Sequence, residues 1–264
     1  MKIKTYVINM KESVVRRNAL LSEVTKYPCM DVEIVEAVNG RRMSSEDVKK
    51  NFDVLKFTYR YRRTPKRGEI GCVHSHRECY KRLLASDEEF ALVLEDDVVF
   101  FYPERVDSLI KEMAGKMKSA QPHIISFTTH AIYYTKSVHL VDNFSFYRLW
   151  DAYGACAYLI NKKAAERLLK ASRPSIVADD FTYMKRIGIL AEGIYPTFIS
   201  GGSSIDKPSE IQDDCTDYVR LSDLPFRYQL KHCWTRFYCE LLLSAKVLSF
   251  RNYFKDRNLS LIHI

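Results

Sequence analysis

The chain has 264 residues, a formal net charge of +8 and 47% hydrophobic residues. That content over that length buries a substantial core, which excludes a disordered or fibrous chain, and no apolar run reaches the roughly 20 residues that span a bilayer. The positive balance implies an anionic partner, whether nucleic acid, a phosphorylated small molecule or a membrane surface.

Residues 1–8 are too short and too soon interrupted by lysine for a signal peptide, so a cytoplasmic protein is expected. Residues 4–10 read as a first strand, and residues 12–26 as a basic helix with Val15, Leu20, Leu21 and Val24 on its buried side. Residues 32–38 suit a second strand that ends at the turn pair Asn39-Gly40. Strand, helix and strand in that order predict a parallel unit.

Residues 44–67 are charged and aromatic, with a basic cluster at Arg60, Arg62, Arg63, Lys66 and Arg67, and read as a flexible loop. Gly68 to Cys72 reads as a turn that opens a helix over residues 73–86. Further strands are predicted at 91–94, 122–127, 155–160 and 189–194, with helices at 162–171 and 181–187, so the class is α/β. Residues 225–257 are helical in character, basic and aromatic, and suit either an anionic membrane surface or packing on the domain or on a second subunit. Residues 1–220 are expected to form the main domain, and residues 221–264 a helical extension that associates with a membrane or builds a homodimer.

The seven cysteines include no CxxC pair, which points to reduced core thiols and away from a disulfide framework or structural zinc. The strongest local signal is the apolar run Ala91 to Leu94, which ends in Glu95-Asp96-Asp97. Three carboxylates at a strand end repel one another unless a cation neutralises them, and oxygen ligands favour magnesium or manganese. The competing reading is a solvated strand end or a cap on the next helix.

Five segments occur together in order: YVINMKESVVRR from Tyr6, GEIGCVHSH from Gly68, ALVLEDD from Ala91, GACAYLINKKAAERLL from Gly154 and VADDF from Val177. Together they resemble glycosyltransferase family 25, which includes bacterial lipooligosaccharide galactosyltransferases, over about residues 3–205. The resemblance implies a GT-A type, Rossmann-like fold that binds a nucleotide sugar at the carboxyl ends of its strands. It makes Glu95 and Asp97 the metal ligands for Mn2+ or Mg2+, with Asp97 foremost and Asp96 beside the donor.

It also places Asn9, Arg16, Arg17, Asn39, Gly40, Glu69 and His76 near the nucleotide sugar. Arginine suits a diphosphate through its bidentate fork. Each has a plainer reading: a solvated helix face for the arginines, backbone freedom for Gly40, and a structural hydrogen bond for His76. An inverting transfer needs a base away from the metal, and Asp179 or Asp180 fills that place, Asp179 fitting better and the other serving as a helix cap.

A late histidine is the expected third ligand, yet none lies between His139 and His232, leaving Ser203, Ser204 and Asp206 in that region. The resemblance favours UDP-galactose over UDP-glucose as donor and a lipooligosaccharide or lipopolysaccharide core as lipid-linked acceptor. A metal-dependent phosphohydrolase would need an aspartate nucleophile after the first strand, where Ile8-Asn9-Met10 stands. A nucleic-acid module would rest on the Arg60 to Arg67 cluster alone, with no accompanying motif, and no nucleic acid is expected as a partner.

Overall fold

The computed structural model describes residues 1–202 and 216–252. Its frame is β1 (Ile3–Asn9), α1 (Val14–Val24) and β2 (Met30–Glu36), with β1 parallel both to β2 and to β3 (Phe90–Glu95). β1 lies between its two partners, so both of its edges are paired, and with a core cluster on each face it is buried along most of its length. Alternate residues part to opposite sides: Ile3 and Val7 join one core cluster, Tyr6 and Ile8 the other. Leu92 and Leu94 of β3 follow the first pair, Ala91 and Val93 the second.

The first cluster is closed by α1 and α5 (Pro103–Lys116) through Leu20, Leu109, Ile110 and Met113. The second is closed by α4 (Arg67–Ala85), α6 (Lys162–Leu169) and α7 (Phe181–Arg186) through Tyr80, Leu83, Leu168 and Met184. Beyond β3 the sheet continues with β8 (Ala157–Asn161), β5 (His123–Ser126), β9 (Leu190–Tyr195), β7 (Ser145–Tyr153), β6 (His130–His139) and β11 (Leu248–Asn252). β8 runs antiparallel to both of its neighbours. A separate pair, β4 (Val98–Phe100) and β10 (Ile199–Gly201), follows the acidic strand end. The result is the expected α/β, Rossmann-like architecture of GT-A type.

Three expectations are corrected. Residues 44–67 are not a loop: they carry α2 (Ser45–Asn51), started by a Ser44–Asp47 capping box, and α3 (Val54–Tyr61), capped by Asp53. Phe52 and Phe57 have no exposed surface and form a third cluster with Val48, Ile70 and Val73, so burial orders a segment whose charge density suggested none.

Nor is Gly68 to Cys72 a turn, because α4 already begins at Arg67. Glu69 sits in the first turn of α4, accepting from the Lys66 N–H at 2.8 Å. Gly71 is there for closeness: a Cβ would lie 2.3 Å from the Val38 carbonyl oxygen and 2.6 Å from the Gly40 nitrogen. Gly40 has the same reason, its Cβ falling 1.8 Å from the Arg67 carbonyl oxygen.

Among the described residues of the predicted 225–257 stretch, the helix is α8 (Phe226–Ser244), after which Lys246 adopts φ 58° and the chain turns into β11. β11 pairs antiparallel with β6, so these residues belong to the main sheet. No helix among the described residues is long and apolar enough to cross a membrane. The six described cysteines are free thiols, as expected.

Candidate active site

Parallel pairing puts Ile8 opposite Glu95, so Asn9 and the acidic triplet leave the sheet side by side. Asn9 is buried and its Nδ2 donates to Asp96 Oδ2 at 2.6 Å and to the Ser13 carbonyl at 3.1 Å. Arg16 reaches the same Asp96 oxygen, Nε to Oδ2 3.5 Å. The middle acid therefore ties β1, α1 and β3 together, and Asn9, Arg16 and Asp96 form one group. Arg17 lies half-buried on α1.

Glu95 turns instead toward α4. His76 Nε2 lies 3.1 Å from Glu95 Oε1 and Cys72 Sγ lies 3.9 Å from it. Cys72 and His76 stand at i and i+4, one face of the helix, which is the spacing that brings them to one carboxylate. Behind His76, Nδ1 is 2.7 Å from the Tyr158 hydroxyl, itself 2.9 Å from the Tyr80 hydroxyl. A ring bearing its proton on Nε2 donates to Glu95 and accepts from Tyr158. His76 is only 2% exposed, so it holds Glu95 in place and is closed off from solvent.

The paired acids divide their work. Asp180 is the N-cap of α7: its Oδ1 accepts from the Tyr183 N–H and the Thr182 hydroxyl, both at 2.7 Å, and Oδ2 accepts from the Tyr61 hydroxyl at 2.6 Å. Asp179 has one such bond, from the Gly154 N–H to Oδ2 at 2.7 Å. Burial pushes the Asp179 carboxyl above the usual range, the Gly154 bond opposes this, and the charges of Glu95 and Asp180 add to the rise. A carboxylate destabilised in this way is a better proton acceptor than an exposed one.

A cleft of about 450 Å³ opens at the carboxyl ends of β1 and β2, lined by Met10, Lys11, Ala37, Val38, Asn39 and Arg42 among others. It has the size of a small-ligand pocket and the location that ligands favour in α/β sheets. Asn39 accepts from the Arg41 N–H at 3.1 Å, and Val38 N–H donates to Ser75 Oγ at 2.8 Å, so the turn that walls the cleft is fixed to α4. Glu69 is set apart from it, held by a two-pronged pair with Arg63 at 2.5 and 2.8 Å.

For a divalent cation, the donor set is judged by its chemistry. Ligand atoms of Cys72, His76 and Glu95 lie within 4.8 Å of one another, the group of three that the described residues bring together. Burial, followed by the charge of Glu95, holds the Cys72 thiol well above its ordinary pKa, which suits a hydrogen-bonded thiol better than a thiolate ligand. Of the two expected metal ligands only Glu95 belongs to that group, Asp97 standing outside it; carboxylate oxygens are hard donors of the kind that suit Mn2+ or Mg2+. The Gly202 N–H donates to the Asp97 carbonyl at 2.7 Å, fixing that end of the triplet, while Ser203, Ser204 and Asp206 lie outside the described residues.

Sequence reasoning missed Cys72, Tyr158 and Gly154 as members of the site. The helical spacing of Cys72 and His76 was a usable signal; the Tyr158 and Gly154 contacts depend on strand pairing that no local pattern carries.

A family model described as Glycosyltransferase family 25 (LPS biosynthesis protein) matches residues 2–183. A glycosyltransferase 25 family member of Aedes aegypti is 32% identical over 115 residues, covering 40% of this chain and 18% of that protein. Procollagen galactosyltransferase 2 of Homo sapiens is 37% identical over 99 residues, covering 36% of this chain and 16% of that protein. The chain thus matches less than a fifth of the length of these curated relatives. The crystal structure of an apo UDP-glucose pyrophosphorylase aligns with 76% of this chain and 92% of its own at 9% identity and a TM-score of 0.43, a likeness too distant to argue from.

Proposed function

The chain belongs to glycosyltransferase family 25, and from that premise we propose that it moves galactose from UDP-galactose, with inversion, to a hydroxyl of a lipooligosaccharide or lipopolysaccharide core. The observation that carries the reading is the division of the acids: Glu95, Asp96 and Asp97 at the strand end, and Asp179 across from them with one backbone bond and a raised pKa. Asp179 takes the proton of the acceptor hydroxyl as its oxygen bonds to the anomeric carbon, and the bond from that carbon to the diphosphate breaks with its electrons leaving on UDP. Arg16 stands at the strand ends as a partner for the departing diphosphate. A divalent ion held by Glu95 and Asp97 would offset the charge that develops on the leaving group.

Galactose as the sugar is supported by the printed name of the human relative, and the acceptor class by the family's description. The proposal extends to the inner face of the cytoplasmic membrane. α8 exposes Phe226, Leu230, Trp234, Phe237 and Leu241 along one stripe, beside Arg227 and Arg236, which suits an anionic lipid surface. The phosphohydrolase reading lacks its nucleophile at Asn9. The nucleic-acid reading has only the Arg60 to Arg67 cluster behind it, and there Arg63 is bound to Glu69 while Arg67 reaches the carbonyls of Met43 and Ser44.

A donor screen by thermal shift tests the reading. UDP-galactose with Mn2+ is expected to raise the melting temperature more than UDP-glucose or a GDP-sugar, and excess chelator to remove the effect. A shift that survives chelation sinks the metal role, and the absence of any shift with every UDP-sugar sinks the donor class.

A further inference from the structure

Around Asp180, cations from three helices come within electrostatic reach of one another. Arg60 of α3 lies with its guanidinium 4.6 Å from the Tyr183 ring centroid, its side chain only 11% exposed. Its Nε and Nη1 are buried and have no hydrogen-bond partner. The Asp180 carboxylate is the near acid, but its Oδ2 stands 3.7 Å from Nη1, beyond hydrogen-bond range, and already accepts from Tyr61.

Arg186 of α7 and Lys231 of α8 lie within electrostatic reach of Arg60 and Asp180. Burial and then the charges of Arg186 and Arg60 pull Lys231 down to about 8, and burial and then Arg60 lower Arg186. Arg60 is nearly enclosed and Lys231 half-buried, while Arg186 is exposed at the rim. The Tyr59 and Tyr228 rings pack at 5.1 Å and His232 Nε2 lies 3.0 Å from the Tyr59 carbonyl, so α8 is pinned against α3 and Lys231 is delivered there.

Buried guanidinium donors without acceptors are costly, and like charges held together add to that cost. A compact oxyanion removes both penalties at once, because it accepts from several donors and brings negative charge. A planar fork flanked by two further cations is the chemistry that recognises phosphate. Asp179, the adjoining residue, is engaged instead by the Gly154 N–H, so the cations around Asp180 are separate from the contact that holds the proposed base.

We propose that Arg60, Arg186 and Lys231 form a subsite for a phosphate group borne by the acceptor. The word acceptor rests on the transferase reading above; the anion site itself does not. The same chemistry would hold a free phosphate or one end of the donor diphosphate, and the experiment separates the three.

Inorganic phosphate is titrated calorimetrically into the full chain, with and without saturating UDP and Mn2+, and into Arg60→Gln and Lys231→Gln. One saturable site is expected, retained when UDP is bound, and weakened about tenfold or more in each variant, with UDP affinity unchanged. Wild type should also show a lower KM for a phosphorylated core oligosaccharide than for its dephosphorylated form, a preference lost in Lys231→Gln. No saturable phosphate site, a site that UDP displaces, or full phosphate affinity in both variants overturns the subsite. Phosphate binding without any KM preference overturns its assignment to the acceptor. Should Arg60→Gln not fold, the half-buried Lys231→Gln carries the test. Failure of UDP-sugars to bind, with phosphate still bound, strikes the transferase reading and leaves the anion site standing.

Discussion

Gly71→Ala sets two physical effects against each other, and its sign decides between them. Helix propensity alone predicts that alanine inside α4 stabilises by about 1 kcal/mol. The structure predicts the reverse: the new Cβ would stand 2.3 Å from the Val38 carbonyl, 2.6 Å from the Gly40 nitrogen and 3.1 Å from the Gly40 Cα, all backbone atoms that cannot rotate away. The turn and the helix must part by roughly 1 Å to restore ordinary contact distances. Overpacking of that kind costs about 1–3 kcal/mol, and the Val38 N–H bond to Ser75 is put at risk for about 1 more. After the propensity gain, a net loss of about 1–3 kcal/mol is expected, or a fall of roughly 2–12 °C in Tm for a chain of this size. Urea unfolding measures it. Gly115→Ala is the control, because that helical glycine has nothing within 4 Å of its Cβ position and should gain about 0.5–1 kcal/mol. If both variants gain stability alike, the close approach of turn and helix is wrong. Because the same turn walls the cleft, Gly71→Ala should also weaken UDP binding.

Asp179→Asn is expected to leave donor affinity intact and to lower kcat by about 10²–10⁴-fold, whereas Asp97→Ala should lose metal-dependent donor binding; normal turnover in the first would remove Asp179 as base. Burial, helped by the Asp180 and Asp179 charges, raises the Asp151 carboxyl to about 6. Between about pH 4 and 6 the folded chain therefore keeps a proton that the unfolded chain releases, and stability falls as pH rises through that window by about 3 kcal/mol at most. Asp151→Asn should flatten that slope in a pH series of melts, and an unchanged slope would refute the assignment. For the membrane reading, the protein should sediment with anionic vesicles at low salt and be released at high salt; no binding at low salt ends it.

The parallel core was legible because β1 and β3 are interior strands whose apolar runs announce themselves, and the acidic end of β3 announced the site. Residues 44–67 were illegible for a physical reason: Phe52 and Phe57 are buried beneath helices whose outer faces are charged, and a high charge count hid a two-aromatic core. The β6–β7 hairpin escaped notice because its far half is exposed, so inside and outside do not alternate cleanly there. β11 was read as helix since five residues after a long amphipathic stretch carry too little signal to mark a strand. Within the site, Asp180 as a cap was foreseen as one of two options, and only Tyr61, Thr182 and Tyr183 decide it. The support of His76 by Tyr158 required knowing that β8 lies beside β3, which no local pattern states.

The strand order also has a consequence for how the sheet is made. β1 and β2 at one end come from residues 3–36, whereas β11, which caps the opposite edge on β6, comes from Leu248–Asn252. At about 5–20 residues per second, β6 is synthesised several seconds before its outer partner exists. During that interval its ten residues, His130–His139, offer a raw row of backbone groups to any passing strand. Lys136 near the middle of that strand is a charge that discourages such pairing. Cells making this protein too fast should therefore accumulate aggregates seeded at β6, and slowing translation should raise the soluble yield.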